Sequence, residues 1–226
     1  MFIKICANTN LEDALRAAEL GADAVGFVFA KSKRQVTAAQ VAEMTAALPV
    51  GLEAVGVFTT TDAGEILAVA SAAGLTCVQL HSEFDAKRVE AIEAGSRGKL
   101  RVIQVVDVPA SMEMEGLRAS MRTVLQHPYV TAALLDASHD GTSGGTGKVF
   151  DWERTATVVH QVQEETSGRV IVAGGLRADN VAEAIAAFQP WGVDVASGVE
   201  SAPGKKSPEK LRAFIEGARR ANDAID

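Results

Sequence analysis

A thiol stands where an apolar run of the chain ends, in a setting that favours proton transfer. Cys6 closes the run that begins at Phe2, and Lys4 lies two residues before it. Because side chains alternate along a strand, Lys4 and Cys6 are expected to share one face. A neighbouring ammonium lowers a thiol pKa from its usual value of about 8.5 toward operating pH. Cys6 is therefore a candidate general base.

Three further polar residues lie in or after apolar runs. Asp136 follows Ala132-Ala133-Leu134-Leu135, where an uncompensated carboxylate would be costly, so it is either paired structurally or held for proton transfer. For Asp194 a structural role or a contact to a substrate hydroxyl group is favoured. His81 fits a core histidine, an acid or base, or a metal ligand. One histidine near an aspartate is weak evidence for a metal site, and we predict none.

Two glycine-containing turns could bind an anion. They are Ala173-Gly174-Gly175-Leu176 and Ala196-Ser197-Gly198-Val199. Backbone N–H groups at such turns can approach an anion closely because glycine has no side chain in the way. Each turn alone is weak evidence, but two at related positions favour a phosphate site.

A basic segment, Lys31-Ser32-Lys33-Arg34, follows the second apolar run. It is either a solvated loop or the site at which Arg34 makes a bidentate contact to a substrate carboxylate. Charge alone leaves both interpretations open.

The elements that must position these residues alternate along the whole chain. Eight short apolar runs are typical of parallel strands buried on both faces. Between them lie helical patterns, with caps predicted at Asn10, Thr37 and Ser207. The predicted strands are Phe2 to Cys6, Ala24 to Phe29, Glu53 to Phe58, Cys77 to His81, Leu100 to Val106, Ala132 to Asp136, Arg169 to Ala173 and Val193 to Ser197.

This alternation predicts an α/β protein, a single-domain (β/α)8 TIM barrel over residues 1–226. A doubly wound open sheet is the runner-up, but Cys6-Ala7-Asn8-Thr9 occupies the turn where its G-x-G-x-x-G fingerprint would stand. In such a barrel the active site lies at the C-terminal ends of the strands, and the loops after strands seven and eight frequently bind phosphate. The glycine-rich stretch from Ala137 to Lys148 would also lie at this mouth.

Composition limits the kinds of partner that the protein is expected to bind. The 226 residues carry 22 Lys and Arg against 29 Asp and Glu, and the basic residues are scattered, which argues against a nucleic-acid partner. No apolar run approaches the roughly 20 residues of a membrane span, and we expect no membrane partner and a cytoplasmic protein. The two cysteines, Cys6 and Cys77, match no metal-ligand spacing. We expect Cys77 to be a small buried hydrophobe.

The chain also resembles the phosphoribosylanthranilate isomerase family over nearly its whole length. The resemblance is carried by Lys4-Ile5-Cys6, the segment from Gly21 to Phe29, Lys31-Ser32 with Arg34, Val55-Gly56-Val57-Phe58, Val78-Gln79-Leu80-His81, Leu134-Leu135-Asp136, Gly144-Gly145-Thr146-Gly147 before Phe150-Asp151-Trp152, Ala173-Gly174-Gly175-Leu176, Asn180-Val181, Val193-Asp194-Val195 and Ser197-Gly198-Val199-Glu200.

The resemblance implies a cofactor-free Amadori rearrangement in tryptophan biosynthesis, from N-(5-phosphoribosyl)anthranilate to 1-(2-carboxyphenylamino)-1-deoxyribulose 5-phosphate. By the resemblance, Asp136 is the general acid and Cys6 the general base. Arg34 binds the anthranilate carboxylate. Four residues hold the phosphate, namely Gly174, Gly175, Ser197 and Gly198.

Three positions depart from the family pattern: Ala7 and Ser82 replace glycines, and Lys33 replaces a proline. Alanine and serine adopt positive φ less easily than glycine, so the loops there are expected to differ in geometry. None of the three removes a catalytic group.

Other functions fit this sequence less well. A histidine-pathway or bifunctional phosphoribosyl isomerase uses an aspartate at the end of the first strand and shows a half-barrel repeat, whereas this chain has Cys6 there. A ribulose-phosphate epimerase would need metal ligands on several strands. A non-catalytic barrel that binds a phosphorylated ligand would not need both Cys6 and Asp136. The expected partner is a small phosphorylated substrate, and the protein is a monomer or a homodimer.

Overall fold

Eight parallel strands close into a barrel in the computed structural model, which describes residues 1–108, 113–136 and 152–224. Each strand pairs with the next along the chain, and the eighth pairs with the first. The predicted barrel is confirmed. The strands are β1 (Phe2–Ile5), β2 (Ala24–Val28), β3 (Glu53–Phe58), β4 (Cys77–Leu80), β5 (Arg101–Asp107), β6 (Ala132–Asp136), β7 (Val170–Val172) and β8 (Gly192–Val195).

Helices follow the strands and cover the outside of the barrel. The predicted caps are confirmed: Asn10, Thr37 and Ser207 each accept a hydrogen bond from a backbone N–H in the first turn of a helix. The helices are α1 (Leu11–Glu19), α2 (Ala38–Thr45), α3 (Ala63–Ala72), α4 (Ala86–Ser96), α5 (Met114–Leu125), α6 (Trp152–Thr166), α7 (Val181–Phe188) and α8 (Pro208–Asp223). None of the described helices is long and apolar enough to cross a membrane.

Alternation along the strands divides the core into two apolar clusters. The larger lies between strands and helices, and the smaller fills the barrel interior, where Val55, Cys77, Ile103 and Leu134 pack together. Burial raises the pKa of the Cys77 thiol to about 12. This agrees with the prediction that Cys77 is a small buried hydrophobe.

An antiparallel hairpin after the eighth strand was not predicted. It consists of β9 (Glu200–Ala202) and β10 (Lys205–Lys206), and it places buried Glu200 and Lys206 beside the barrel mouth. The hairpin is too short and polar to leave a periodic pattern in the sequence. The glycine-rich stretch from Ala137 to Lys148 lies outside the described residues.

Candidate functional site

Lys4 and Cys6 point into the barrel at its mouth, as strand alternation predicted. The Lys4 Nζ donates to Asp194 Oδ1 at 2.9 Å, and the side chain of Lys4 is fully buried. The prediction that the pKa of Cys6 is lowered toward operating pH is wrong, although Lys4 does act in that direction. Burial raises the pKa of Cys6 above its ordinary value, and the positive charge of Lys4 opposes this only in part while Asp194 reinforces it.

The ion pair with Asp194 also affects the pKa of Lys4. Burial alone would lower the pKa of Lys4, but the charges of Asp194 and Cys6 outweigh it and the pKa is raised. Lys4 therefore remains an ammonium in the barrel interior. The structural role predicted for Asp194 is its ion pair with Lys4. Its contact to a substrate hydroxyl group stays a prediction.

The loop after β1 is strained at Ala7, the residue that follows Cys6. Ala7 has a φ of 61°, in the left-handed region that costs an alanine roughly 1 kcal/mol. Asn8 stabilises the loop through two hydrogen bonds. Its side-chain amide donates to Ile5 O at 2.8 Å, and its backbone N–H donates to Gly26 O at 2.9 Å. Ala7 thus adopts a conformation that suits glycine better. Ser82 has no positive φ, and the expected difference in loop geometry at that position stays a prediction.

A second group of polar residues lies at the ends of β4, β5 and β6. Asp107 and Asp136 are register partners, and His81 Nε2 lies 3.2 Å from Asp107 Oδ1. Burial raises the pKa of Asp136, and the positive charge of a protonated His81 opposes this only in part. The hydrogen bond with Asp107 raises the pKa of His81. Asp136 is thus biased toward the protonated form that a general acid needs.

The two glycine turns pack against each other at the end of the barrel. Gly174 and Gly175 both have positive φ, 83° and 70°, and the amide of Asn180 donates to Gly175 O at 3.1 Å. A Cβ on Gly198 would lie 1.9 Å from Leu176 O, so the second turn approaches the first too closely for any side chain. Ser197 begins the short 3-10 turn Ser197–Val199. Their backbone N–H groups can therefore converge on one anion.

Arg34 lies at the same end of the barrel, but not as a free cation. Its Nε donates to both carboxylate oxygens of Glu200, at 2.8 and 3.1 Å, and its Nη2 donates to Oε2 at 2.6 Å. Burial alone would raise the pKa of Glu200, but the hydrogen bond with Arg34 and the charge of Lys206 lower it. Beside Lys33 the turn forms without a proline, since Ser32 Oγ accepts from the Arg34 backbone N–H at 3.1 Å.

Four residues at the mouth were not identified from the sequence. They are Asn8, Asp107, Glu200 and Lys206. Lys206 Nζ donates to Cys6 O at 2.5 Å and to Ala196 O at 3.2 Å, although it is 200 positions from Cys6. The position of Glu200 directly after the second glycine turn was the one available signal.

Electrostatics connects the two sides of the mouth. The charges of Lys4 and Asp194 both act on the pKa of Cys6 and on that of Asp136. The arrangement thus offers a buried thiol, a carboxyl group biased toward its neutral form and a guanidinium around one opening. Among the described residues, no group of three or more His, Cys, Asp or Glu could hold a metal ion.

Comparisons with known proteins show which family this chain matches. Residues 3–217 match the model of the family described as N-(5′-phosphoribosyl)anthranilate (PRA) isomerase. A curated protein of that name from Rubrobacter xylanophilus is 39% identical over 96% of this chain and 98% of its own length.

Solved structures give the same match in three dimensions. A phosphoribosyl anthranilate isomerase in complex with reduced 1-(o-carboxyphenylamino)-1-deoxyribulose 5-phosphate superposes with a TM-score of 0.80 at 33% identity, covering 97% of this chain and 99% of its own. A structure of monomers generated from the dimeric enzyme of Thermotoga maritima gives 0.79 at 34% identity, with the same coverage.

Proposed function

The chain belongs to the N-(5′-phosphoribosyl)anthranilate isomerase family, the aldose-ketose isomerases of tryptophan biosynthesis, and we propose that Cys6 and Asp136 carry out its Amadori rearrangement. One observation carries the assignment: a buried thiol and a partly buried carboxyl group with a raised pKa share one barrel mouth. The two groups have the chemistry of a base and an acid.

Asp136 acts first in the proposed mechanism. Because its pKa is raised, a larger fraction of Asp136 is protonated at neutral pH than for an ordinary aspartate. It donates this proton to the furanose ring oxygen of the substrate. The ring opens, and a Schiff base forms between C1′ and the anthranilate nitrogen.

Cys6 then acts as the base. Its thiolate removes the proton from C2′, and the resulting enolamine tautomerises to the ketone. In the free protein the thiolate is the minor form because burial raises its pKa. The ammonium of Lys4 is the largest influence that favours the thiolate. Lys4 therefore keeps the base accessible in an environment that otherwise suppresses it.

The remaining site residues bind the substrate in this proposal. Arg34 takes the anthranilate carboxylate, and His81 and Asp194 contact the sugar. The phosphate lies between the two glycine turns, on Gly174, Gly175, Ser197 and Gly198. The proposed reaction uses this chain's own acid and base and needs no cofactor. The related structure in complex with a phosphorylated compound supports a small phosphorylated substrate.

The proposed assembly is a monomer or a homodimer, and the proposed compartment is the cytoplasm. A dimeric relative exists in Thermotoga maritima. Both cysteines, Cys6 and Cys77, are free thiols, as is usual in a reducing compartment.

The test is turnover of phosphoribosylanthranilate by purified protein without added metal or cofactor. Cys6→Ala and Asp136→Asn should each lower kcat by at least about 100-fold, as expected for loss of a general acid or base. Cys77→Ala is the matched control, since its thiol packs in the barrel interior, and it should keep most of the activity. An inactive wild type, or full turnover by both variants, would contradict the proposal.

A further inference from the structure

We propose that Glu200 is the positioning residue for Arg34: it fixes the guanidinium so that one edge faces the substrate carboxylate. This rests on the proposed function, in which Arg34 binds that carboxylate. Glu200 itself does not touch the substrate in this proposal. Only 5% of the Glu200 side chain is exposed.

The geometry of the ion pair leaves part of Arg34 available. Glu200 takes the Nε N–H and one N–H of Nη2. A guanidinium carries five N–H donors in a plane, so three remain, on Nη1 and Nη2. Two of them, one on each nitrogen, form the second edge that can bind a carboxylate with two parallel hydrogen bonds. Binding Glu200 and binding substrate are thus compatible, and both use the same plane.

Glu200 is held from its other side as well. Its Oε1 accepts from the Gly204 backbone N–H at 3.3 Å and lies 3.5 Å from Lys206 Nζ. The Lys206 ammonium is fully buried and also binds the carbonyl oxygens of Cys6 and Ala196. The position of Glu200 is therefore fixed relative to the proposed base and to the turn that contains Ser197 and Gly198.

Arg34 needs such a partner because of where it lies. It is on the loop after β2, and a free arginine side chain carries about 2 kcal/mol of rotamer entropy. Ordering that side chain before the ligand arrives reduces the entropy lost on binding. The residue before Arg34 is Lys33, which lacks the ring that fixes φ in a proline, so the residue before Arg34 supplies no such restraint.

The test compares two ligands that differ only in the group that Arg34 is proposed to bind. One is reduced 1-(o-carboxyphenylamino)-1-deoxyribulose 5-phosphate, and the other is the same compound without the ring carboxylate. Their Kd values are measured by calorimetry for the wild type and for Glu200→Gln. The variant should lower the preference for the carboxylated ligand by at least about 10-fold, because it misaligns a charge-assisted contact. The Kd of the ligand without the carboxylate should stay the same.

A merely structural role for Glu200 predicts a different pattern. If Glu200 were only structural, Glu200→Gln would raise the Kd of both ligands by the same factor. That result, or an unchanged preference for the carboxylated ligand, would overturn the inference. Glu165→Gln is the matched control, since Glu165 pairs with Arg118 between α5 and α6, and it should leave both affinities unchanged. If Glu200→Gln does not fold, Glu200→Asp serves instead, because its shorter side chain keeps the charge but cannot reach both Arg34 and Lys206.

Two further measurements separate this inference from the proposed function. In an Arg34→Ala background, Glu200→Gln should not change the ligand preference any further; a further fall would show that Glu200 does not act through Arg34. A wild type that does not prefer the carboxylated ligand would instead contradict the role of Arg34 itself. Turnover by the wild type with an unchanged preference in Glu200→Gln would overturn the inference alone.

Discussion

The base side and the acid side of the barrel mouth are built differently. On the base side, Lys4 is fully buried and Cys6 is 7% exposed. On the acid side, the side chains of His81 and Asp107 are 22% and 51% exposed. Burial raises the pKa of the proposed acid, Asp136, and of the proposed base, Cys6. A raised pKa favours the protonated carboxyl group that an acid needs, but it disfavours the thiolate that a base needs. The base side therefore needs the buried cation of Lys4.

The largest effect is expected from removing that cation. Lys4→Met leaves the Asp194 carboxylate buried without its partner, which should lower the free energy of unfolding by about 3–5 kcal/mol. Denaturant unfolding followed by circular dichroism measures this. Lys99→Met changes an exposed lysine and should leave stability nearly unchanged. A loss below about 1 kcal/mol, the range of exposed pairs, would show that the pair is solvated.

The second expected effect concerns the thiol itself. In a Cys77→Ala background, the rate at which iodoacetamide alkylates Cys6 should reach half its maximum above the ordinary thiol pKa of about 8.5, since burial raises the pKa of Cys6. The pKa is taken from the pH dependence of the alkylation rate and not from its absolute value, because burial also slows the access of iodoacetamide to Cys6. A midpoint below about pH 8.5 would mean that the charge of Lys4 outweighs burial.

The same shifts predict the shape of the pH profile of turnover. The reactive form has a thiolate at Cys6 and a protonated Asp136. When the thiol has the higher pKa, the fraction in this form is constant between the two pKa values and falls outside them. Activity should therefore fall below the pKa of Asp136 and above that of Cys6.

The smallest effect is expected on the acid side. The raised pKa of His81 means that its pair with Asp107 contributes stability below the unfolded-state pKa of about 6.5, and that this is lost as pH rises through the folded-state pKa. Asp107→Asn should thus lower stability at pH 5.5 by less than about 1 kcal/mol, because the pair is partly exposed, and less still at pH 8.5. A larger loss at pH 8.5 than at pH 5.5 would contradict this.

The sequence predicted the barrel because apolar runs and helix caps are local signals. All eight strands and the caps at Asn10, Thr37 and Ser207 are where the pattern placed them, within two residues. Cys6, Asp136 and the glycine turns were predicted to lie together because they stand where strands end, which a barrel collects at one face. The structure places them there, and their roles stay predictions.

What the sequence did not reveal depends on contacts between distant residues. Glu200 and Lys206 look like surface charges until the hairpin returns them to the mouth. The raised pKa of Cys6 could not be predicted either. Its sign depends on the balance between complete burial and a lysine already paired with Asp194, and sequence spacing shows only the lysine.

The bond from Lys206 to the Cys6 carbonyl has a consequence for how the protein is made. The two residues are 200 positions apart. At roughly 5–20 residues per second, a ribosome adds Lys206 on the order of 10 to 40 seconds after Cys6. Through that interval the nascent chain carries its thiol without this anchor. Cys6 thus reaches its folded environment only after translation has passed the eighth strand and the hairpin that follows it.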